Sequence, residues 1–114
     1  MPTTAVDGQT AIVTGASSGI GAATCRGLAA AGATVVLAAR SEDRLRELAG
    51  EIDADHGVDT LVVPTDIRDE AAVDALIERT VAEFGGIDIL VNNAGLARGS
   101  DVETMSTAAY EPMQ

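Results

Sequence analysis

The sequence predicts an α/β fold, with a doubly wound parallel sheet and helices on both faces. Short apolar segments alternate with longer segments of helical periodicity, and the connections between them are short. Hydrophobic residues make up 46 % of the chain, but aromatic residues only 2 %. Small aliphatic side chains suit close layers of helices on a sheet. At 114 residues we expect one modest core in a single, partial domain over residues 1–114.

The first half of the chain opens with two strands and the helix between them. Thr10–Thr14 is apolar without alternation, as expected of a strand covered on both faces. A glycine-rich turn then leads into a helix over Gly19–Ala31, which Gly32 ends. Thr34–Ala39 is predicted to be the second buried strand, and a second helix follows it.

That second helix follows Ser41, a residue able to cap it, and ends before Gly57. Leu61–Val63 is predicted to be the third strand, closed by Pro64. Asp69 or a neighbour then opens a third helix. Its predicted apolar face consists of Val73, Leu76, Ile77, Val81 and Phe84.

Ile87–Val91 is the fourth predicted strand, and an asparagine-containing turn follows it. Ser106 could cap a final helix. For a doubly wound sheet we expect the strand order 3-2-1-4, incomplete on its C-terminal side. The ligand crevice of such a sheet lies at the carboxyl ends of strands one and four, where both the glycine turn and the asparagine turn fall.

Charge and hydropathy exclude some classes of partner. The formal net charge is −11, which disfavours nucleic acid and anionic membranes. No apolar run approaches the roughly 20 residues of a membrane span, and the start lacks a signal-peptide pattern, so we expect a cytoplasmic protein. All seven basic residues are arginine. Adaptation to high salt and a GC-rich genome both explain this composition, and the sequence leaves the two open.

Single cysteine and histidine residues offer little chemistry. Cys25, the only cysteine, lies in a predicted helix and is interpreted as a small packing residue. His56 precedes Gly57 at a helix end, where a capping or solvated role is expected. We predict no metal site and assign no catalytic residue.

The glycine turn has a spacing suited to a dinucleotide. Gly15 allows a sharp turn off the strand, Gly19 lets backbone N–H groups approach a pyrophosphate, and Gly21 permits close contact between helix and strand. The helix start adds N–H donors and a positive dipole end. A glycine turn that binds nothing is the alternative when this motif is taken alone.

Two motifs together carry a family resemblance. T-G-x-x-x-G-I-G over Thr14–Gly21 and N-N-A-G over Asn92–Gly95 resemble the paired signature of the short-chain dehydrogenase/reductase family, and Asp66 after strand three strengthens the match. The resemblance covers roughly Gln9–Gln114 and implies a Rossmann-type fold. It implies an oxidoreductase that transfers hydride between NADP(H) and an alcohol or carbonyl substrate, usually as a homo-oligomer.

Carried over by position, the resemblance implies a set of cofactor-binding residues, which are Gly15, Ser17, Ser18, Gly19, Ile20, Gly21, Asp66, Ile67, Asn92, Ala94 and Gly95. Alternatives remain open for some of them. Asn92 and Asn93 could instead tie the turn to adjacent backbone. Asp66 could be a turn residue without ligand contact.

The tip of strand two favours the phosphorylated cofactor. A carboxylate there would bind the ribose hydroxyls of NAD(H), but the sequence reads Ala38-Ala39-Arg40. Arginine suits a 2′-phosphate, so we predict NADP(H), with NAD(H) as runner-up. Two observations compete with this interpretation of Arg40. The carboxylate of Glu42 is close in the sequence, and Arg40 could be only a solvated surface residue. Arg44 and Arg46 are explained as residues of an exposed helix face.

The residues that the family uses for catalysis are not matched. The resemblance implies a Ser, a Tyr and a Lys four residues after the Tyr, whereas Tyr110 is followed at that distance by Gln114 and the chain contains no lysine. We therefore expect no turnover from these 114 residues alone. A nonenzymatic nucleotide-binding domain and an inactive gene fragment remain the alternatives.

Overall fold

The computed structural model describes residues 6–93, and these form an open sheet flanked by helices. In chain order the elements are β1 (Thr10–Thr14), α1 (Gly19–Ala30), β2 (Thr34–Ala39), α2 (Glu42–His56), β3 (Thr60–Pro64), α3 (Glu70–Phe84) and β4 (Ile89–Asn92). The predicted segments after the asparagine turn, including Ser106 and Tyr110, lie outside the described residues.

The four strands are all parallel and follow the order β3-β2-β1-β4, which confirms the predicted topology. Every residue of β1 is buried, because β1 is a central strand covered on both faces. Successive residues of a strand point to opposite faces, so the uninterrupted apolar runs of β1 and β2 supply both layers of the core.

Two apolar clusters lie on opposite faces of the sheet. On one face α1 and α2 pack together against β1 and β2, with Val13, Leu37, Cys25 and Leu45 fully buried. On the other face α3 packs through Leu76 against alternate residues of the same strands. The predicted arrangement of helices on both faces is therefore confirmed.

The strand β4 begins two residues later than predicted. The backbone N–H of Asp88 donates to the Thr10 carbonyl at 2.9 Å, and the Asp88 carboxylate accepts from the Thr10 N–H at 2.8 Å. Asp88 thus joins the start of β1 through its side chain before regular pairing begins at Ile89. The predicted start at Ile87 was wrong because hydrophobicity alone does not show where this pairing starts.

The predicted apolar face of α3 is also corrected. Val81 is 44 % exposed, whereas Thr80 is fully buried. Thr80 occupies the inward position one turn after Leu76, and its hydroxyl donates to the Leu76 carbonyl at 2.8 Å. Because its hydroxyl is hydrogen-bonded within the helix, Thr80 can be buried in the core at the place where the hydrophobic pattern predicted Val81.

The helix ends follow local backbone chemistry. Gly57 and Gly85 adopt the left-handed conformation after α2 and α3, with φ of 68° and 88°. Asp69 caps α3, and its carboxylate accepts from Ala71 and Ala72 N–H. Ser41 precedes α2 as predicted, but its side chain makes no capping hydrogen bond.

Candidate functional site

The candidate site lies at the carboxyl edge of the sheet, where the turns after β1 and β3 flank the tip of β2. The turn after β1 contacts β2, since the Ala16 N–H donates to the Ala38 carbonyl at 3.1 Å. The turn after β3 contacts β2 from the other side, because the Thr65 N–H donates to the Ala39 carbonyl at 2.8 Å. The tip of β2 is therefore held between the glycine turn and the turn that carries Asp66.

Two of the three glycines are required by the geometry of the turn. Gly15 has a φ of 63°, a conformation that side chains disfavour. A Cβ on Gly21 would lie 2.0 Å from the Gly15 carbonyl oxygen. The glycine at position 21 therefore allows the first turn of α1 to sit directly against the turn leaving β1.

Gly19 differs, because a Cβ placed on it would meet no atom within 4 Å. No contact inside the described chain therefore requires a glycine at this position. The space beside its backbone is open, at the first residue of α1. Without a side chain at this position, a ligand group such as a pyrophosphate could approach the backbone N–H groups closely.

Backbone donors are available around this open space. The Ser18 hydroxyl caps α1 by accepting from Gly21 N–H at 3.1 Å and donates to the Gly15 carbonyl at 2.9 Å. The N–H groups of Ser17, Gly19 and Ile20 have no hydrogen-bond partner within residues 6–93. Ile20 is 62 % exposed. Unpaired donors and the positive end of a helix dipole together suit an anion.

The first turn of α1 carries no acidic residue. By contrast, α2 begins with Glu42 and Asp43, and α3 begins with Glu70 after the acidic cap Asp69. Carboxylates stabilise a helix start, and they are abundant in a chain with net charge −11. The start of α1 is thus the one among the three described helices whose unpaired donors have no carboxylate in the same turn.

Arg40 and Asp66 lie at the tips of neighbouring strands. Arg40 is exposed and forms no ion pair within the described residues. Asp66 is bound by Arg68, whose side chain donates to both carboxylate oxygens at 3.1 Å. These hydrogen bonds, with a smaller contribution from the charge of Arg40, lower the pKa of Asp66 to about 2. Ile67, the next predicted contact, is partly exposed.

Arg68 was not singled out from the sequence. Its backbone N–H also donates to the Asp66 carboxylate at 3.0 Å, so it holds that side chain from both its main chain and its guanidinium. The opposite charges two residues apart in Asp66-Ile67-Arg68 were the available signal. Asp66 is therefore ordered and ionised without any ligand.

The asparagine turn is tied to β1. The Thr14 hydroxyl donates to the Asn92 side-chain oxygen at 2.9 Å, which agrees with the scaffold interpretation of Asn92. Asn93 is buried, and its amide nitrogen finds no acceptor within the described part of the chain. The predicted contacts at Ala94 and Gly95 lie outside the described residues.

Cys25 and His56 stand apart from this edge. Cys25 is fully buried against the sheet, and desolvation raises the pKa of its thiol to about 12, as expected of a packing residue. His56 is the exposed last residue of α2.

Within residues 6–93, no group of three or more His, Cys, Asp or Glu side chains is arranged to hold a metal ion. None of the described helices is long and apolar enough to cross a membrane.

A groove of about 310 Å³ opens beside the glycine turn, between α1 and α2. Ser17 and Arg44 lie on its walls together with Arg26, Glu47 and Glu51. In the sequence, Arg44 and Arg46 have the same explanation as residues of an exposed helix face. The structure separates the two, because Arg46 pairs with Glu42 at 2.6 Å whereas Arg44 has no carboxylate partner within the described residues.

Comparison with known proteins identifies the family. The sequence profile described as short chain dehydrogenase matches residues 9–113. An uncharacterized oxidoreductase of Staphylococcus haemolyticus is 43 % identical over 110 residues, covering 96 % of this chain and 46 % of that protein. An NADP-dependent 3-hydroxy acid dehydrogenase of Schizosaccharomyces pombe is 41 % identical over 97 residues, covering 84 % of this chain and 38 % of its own length.

A solved structure extends the similarity to three dimensions. The L-sorbose reductase of Gluconobacter frateurii, complexed with NADPH and L-sorbose, superposes with a TM-score of 0.78 at 45 % identity, over 82 % of this chain and 35 % of that one. The chain thus spans less than half the length of each of these relatives. The matching profile, the sequence identities and the parallel 3-2-1-4 sheet place the chain in the short-chain dehydrogenase/reductase family.

Proposed function

We propose that this chain binds NADP(H) and is the cofactor-binding part of an oxidoreductase that acts on an alcohol or carbonyl substrate. The observation that carries the proposal is the start of α1. Three backbone N–H groups are unpaired there within the described residues, Gly19 leaves the approach open, and no carboxylate is present in the first turn. An anion bound at this place would be stabilised without repulsion from a neighbouring acid.

The described residues fit a dinucleotide in several places. The pyrophosphate would accept hydrogen bonds from the turn formed by Gly15, Ser17, Ser18, Gly19, Ile20 and Gly21. Asp66 and the backbone of Ile67 would hold the adenine, and Asn92 would contribute at the ribose, together with Ala94 and Gly95. Asp66 supports this assignment because Arg68 already fixes it as an ordered carboxylate.

A preference for NADP(H) over NAD(H) rests on Arg40. The tip of β2 offers no carboxylate to the ribose hydroxyls, and Arg40 is an exposed cation without an ion-pair partner in the described chain. Its guanidinium would donate to the 2′-phosphate. The NADP-dependent relative from yeast and the NADPH complex of L-sorbose reductase support this preference. NAD(H) remains the second candidate.

When bound, the nicotinamide supplies or accepts the hydride. The described residues would contribute to such a reaction by binding and orienting the cofactor. We also propose that the protein is located in the cytoplasm.

The proposal is tested by calorimetric titration of the 114-residue chain with NADP⁺ and NAD⁺, in the original sequence and in Gly19→Ala. The methyl group of Gly19→Ala meets no atom within 4 Å in the described residues, so the fold should persist, whereas it would occupy the space through which a phosphate would reach the backbone. We expect the original chain to bind NADP⁺ more tightly than NAD⁺, and Gly19→Ala to weaken both by about tenfold or more, the equivalent of one lost charge-assisted hydrogen bond.

Gly27→Ala is the matched control. Gly27 lies in the middle of α1, and a Cβ there also meets nothing within 4 Å. This substitution should leave dinucleotide affinity unchanged and raise helix stability by about 0.5–1 kcal/mol, as measured by urea unfolding. Absence of dinucleotide binding by the original chain, or equal affinities in Gly19→Ala and the original chain, would contradict the proposal.

A further inference from the structure

We infer that Arg44 is a second cation for the 2′-phosphate of NADP(H), acting from the groove between α1 and α2. This inference rests on the proposed function and deepens it by assigning a specificity-determining residue. It starts from the difference between Arg44 and the other arginines of the neighbourhood. Arg26 pairs with Glu51 and Arg46 pairs with Glu42, whereas Arg44 has no such partner within residues 6–93.

The position of Arg44 in the groove is the second step. Both helices connect parallel strands and run in the same direction on the same face of the sheet. Ser17 precedes α1, and Arg44 is the third residue of α2, so these two residues mark the end of the groove at the carboxyl edge of the sheet. Arg44 thus faces the same groove as a residue of the phosphate-binding turn.

The charges along the groove point to that end as the place for an anion. Arg26 and Glu51 lie about two helical turns farther along, and their ion pair neutralises the distant end. Glu47 lies about one turn beyond Arg44. An anion would therefore be attracted to the mouth beside Ser17 and would be repelled deeper in the groove.

The third step relates Arg44 to Arg40. Arg40 is the first residue after β2 and precedes Ser41, and Arg44 lies in the first turn of α2. Glu42 and Asp43, the two acids between these arginines, would repel a phosphate. One of them, Glu42, is engaged by Arg46 through both its Nε and its terminal nitrogen, which reduces that repulsion. A phosphate placed between the β2 tip and Ser17 would then meet Arg40 on one side and Arg44 on the other.

The experiment compares 2′,5′-ADP with 5′-AMP, because these two ligands differ only in the 2′-phosphate. Calorimetric titrations are made with the original chain, Arg40→Ala, Arg44→Ala, Arg44→Lys and Arg79→Ala. We expect the original chain to prefer 2′,5′-ADP, and Arg44→Ala to weaken 2′,5′-ADP by about tenfold while 5′-AMP changes by less than about twofold. Arg44→Lys should recover part of the loss, because it restores the charge without the planar fork.

Arg79→Ala is the control for net charge. It removes one positive charge from an exposed position of α3, on the other face of the sheet, and Arg79 neither lines the groove nor forms an ion pair within the described residues. We expect its affinity for 2′,5′-ADP to stay within about twofold of that of the original chain. Urea unfolding of each variant checks that the fold is retained.

The outcomes separate this inference from the proposed function. If the original chain prefers 2′,5′-ADP and Arg40→Ala abolishes that preference while Arg44→Ala does not, the role of Arg44 is overturned and the NADP(H) proposal stands. Equal losses in Arg44→Ala and Arg79→Ala would likewise overturn the inference, since they would show only a long-range effect of charge. No preference for 2′,5′-ADP in the original chain would overturn both.

Discussion

We propose that Arg40 sets cofactor choice at the end of β2. Parallel strands present their carboxyl ends to a bound ligand, so the residue that follows β2 would meet the ribose of the cofactor. In this chain that residue is a cation between Ala39 and Ser41, and Asp66 on the next strand feels its charge. The same position with a carboxylate would favour NAD(H) instead.

We expect Arg40→Ala to weaken NADP(H) binding by about 1.5–3 kcal/mol and to leave NAD(H) binding nearly unchanged, because a charge-assisted hydrogen bond to the 2′-phosphate is lost. Fluorescence titration with NADPH and NADH measures both affinities. Arg79→Ala serves as control, since Arg79 is an exposed arginine of α3 without an ion pair in the described residues. Equal losses for both cofactors would remove Arg40 from this role.

At the scale of elements, the three described helices begin in different ways. α3 begins with a carboxylate that caps its N–H groups, whereas α1 begins with a serine cap and unpaired donors. α2 is preceded by Ser41, whose side chain makes no capping bond. The capping carboxylate therefore stabilises the start of α3, whereas the start of α1 is less fully capped and its unpaired N–H groups could bind a ligand.

This difference predicts unequal costs for two similar substitutions. Asp69→Ala should lower the free energy of unfolding by about 1 kcal/mol, because the N–H groups of Ala71 and Ala72 lose their acceptor. Ser41→Ala should cost much less, because Ser41 makes no side-chain capping bond. Urea unfolding monitored by circular dichroism compares the two variants. Comparable losses would show that capping contacts do not determine the stability of these helices.

For the whole molecule, self-repulsion is the dominant electrostatic feature. Eighteen acidic residues face seven arginines, and the three ion pairs of the described residues lie in partly or largely exposed side chains. Exposed ion pairs contribute little, typically about 0–1 kcal/mol each. Salt therefore weakens small attractive interactions but screens a larger net repulsion.

We expect the urea midpoint to rise when KCl increases from about 0.05 M to about 1 M, because the screening length falls from above 10 Å to about 3 Å. Urea unfolding at several KCl concentrations measures this dependence. Sucrose at matched osmolality is the control for effects of solute other than charge. A flat or falling midpoint would contradict the electrostatic argument and favour codon usage as the explanation of the acidic, lysine-free composition.

The sequence alone predicts the order of the elements, the parallel sheet and the place of the candidate site, and the structure confirms the first two. Apolar runs without alternation identify buried strands, and glycines at Gly15, Gly19 and Gly21 identify a turn that joins a strand to a helix closely. These features are local along the chain, or follow from general rules of chain connection, so no coordinates were needed to predict them.

The pairing of side chains across elements, and which side chains remain unpaired in the described residues, became known from the three-dimensional structure. It showed that Thr80 rather than Val81 enters the core, that Asp88 sets the start of β4, and that Thr14 binds Asn92. It also separated Arg44 from Arg46, although both lie on one helix and look alike in the sequence. These outcomes depend on contacts between residues distant along the chain, on helix orientation and on competition among many carboxylates, none of which a linear pattern records.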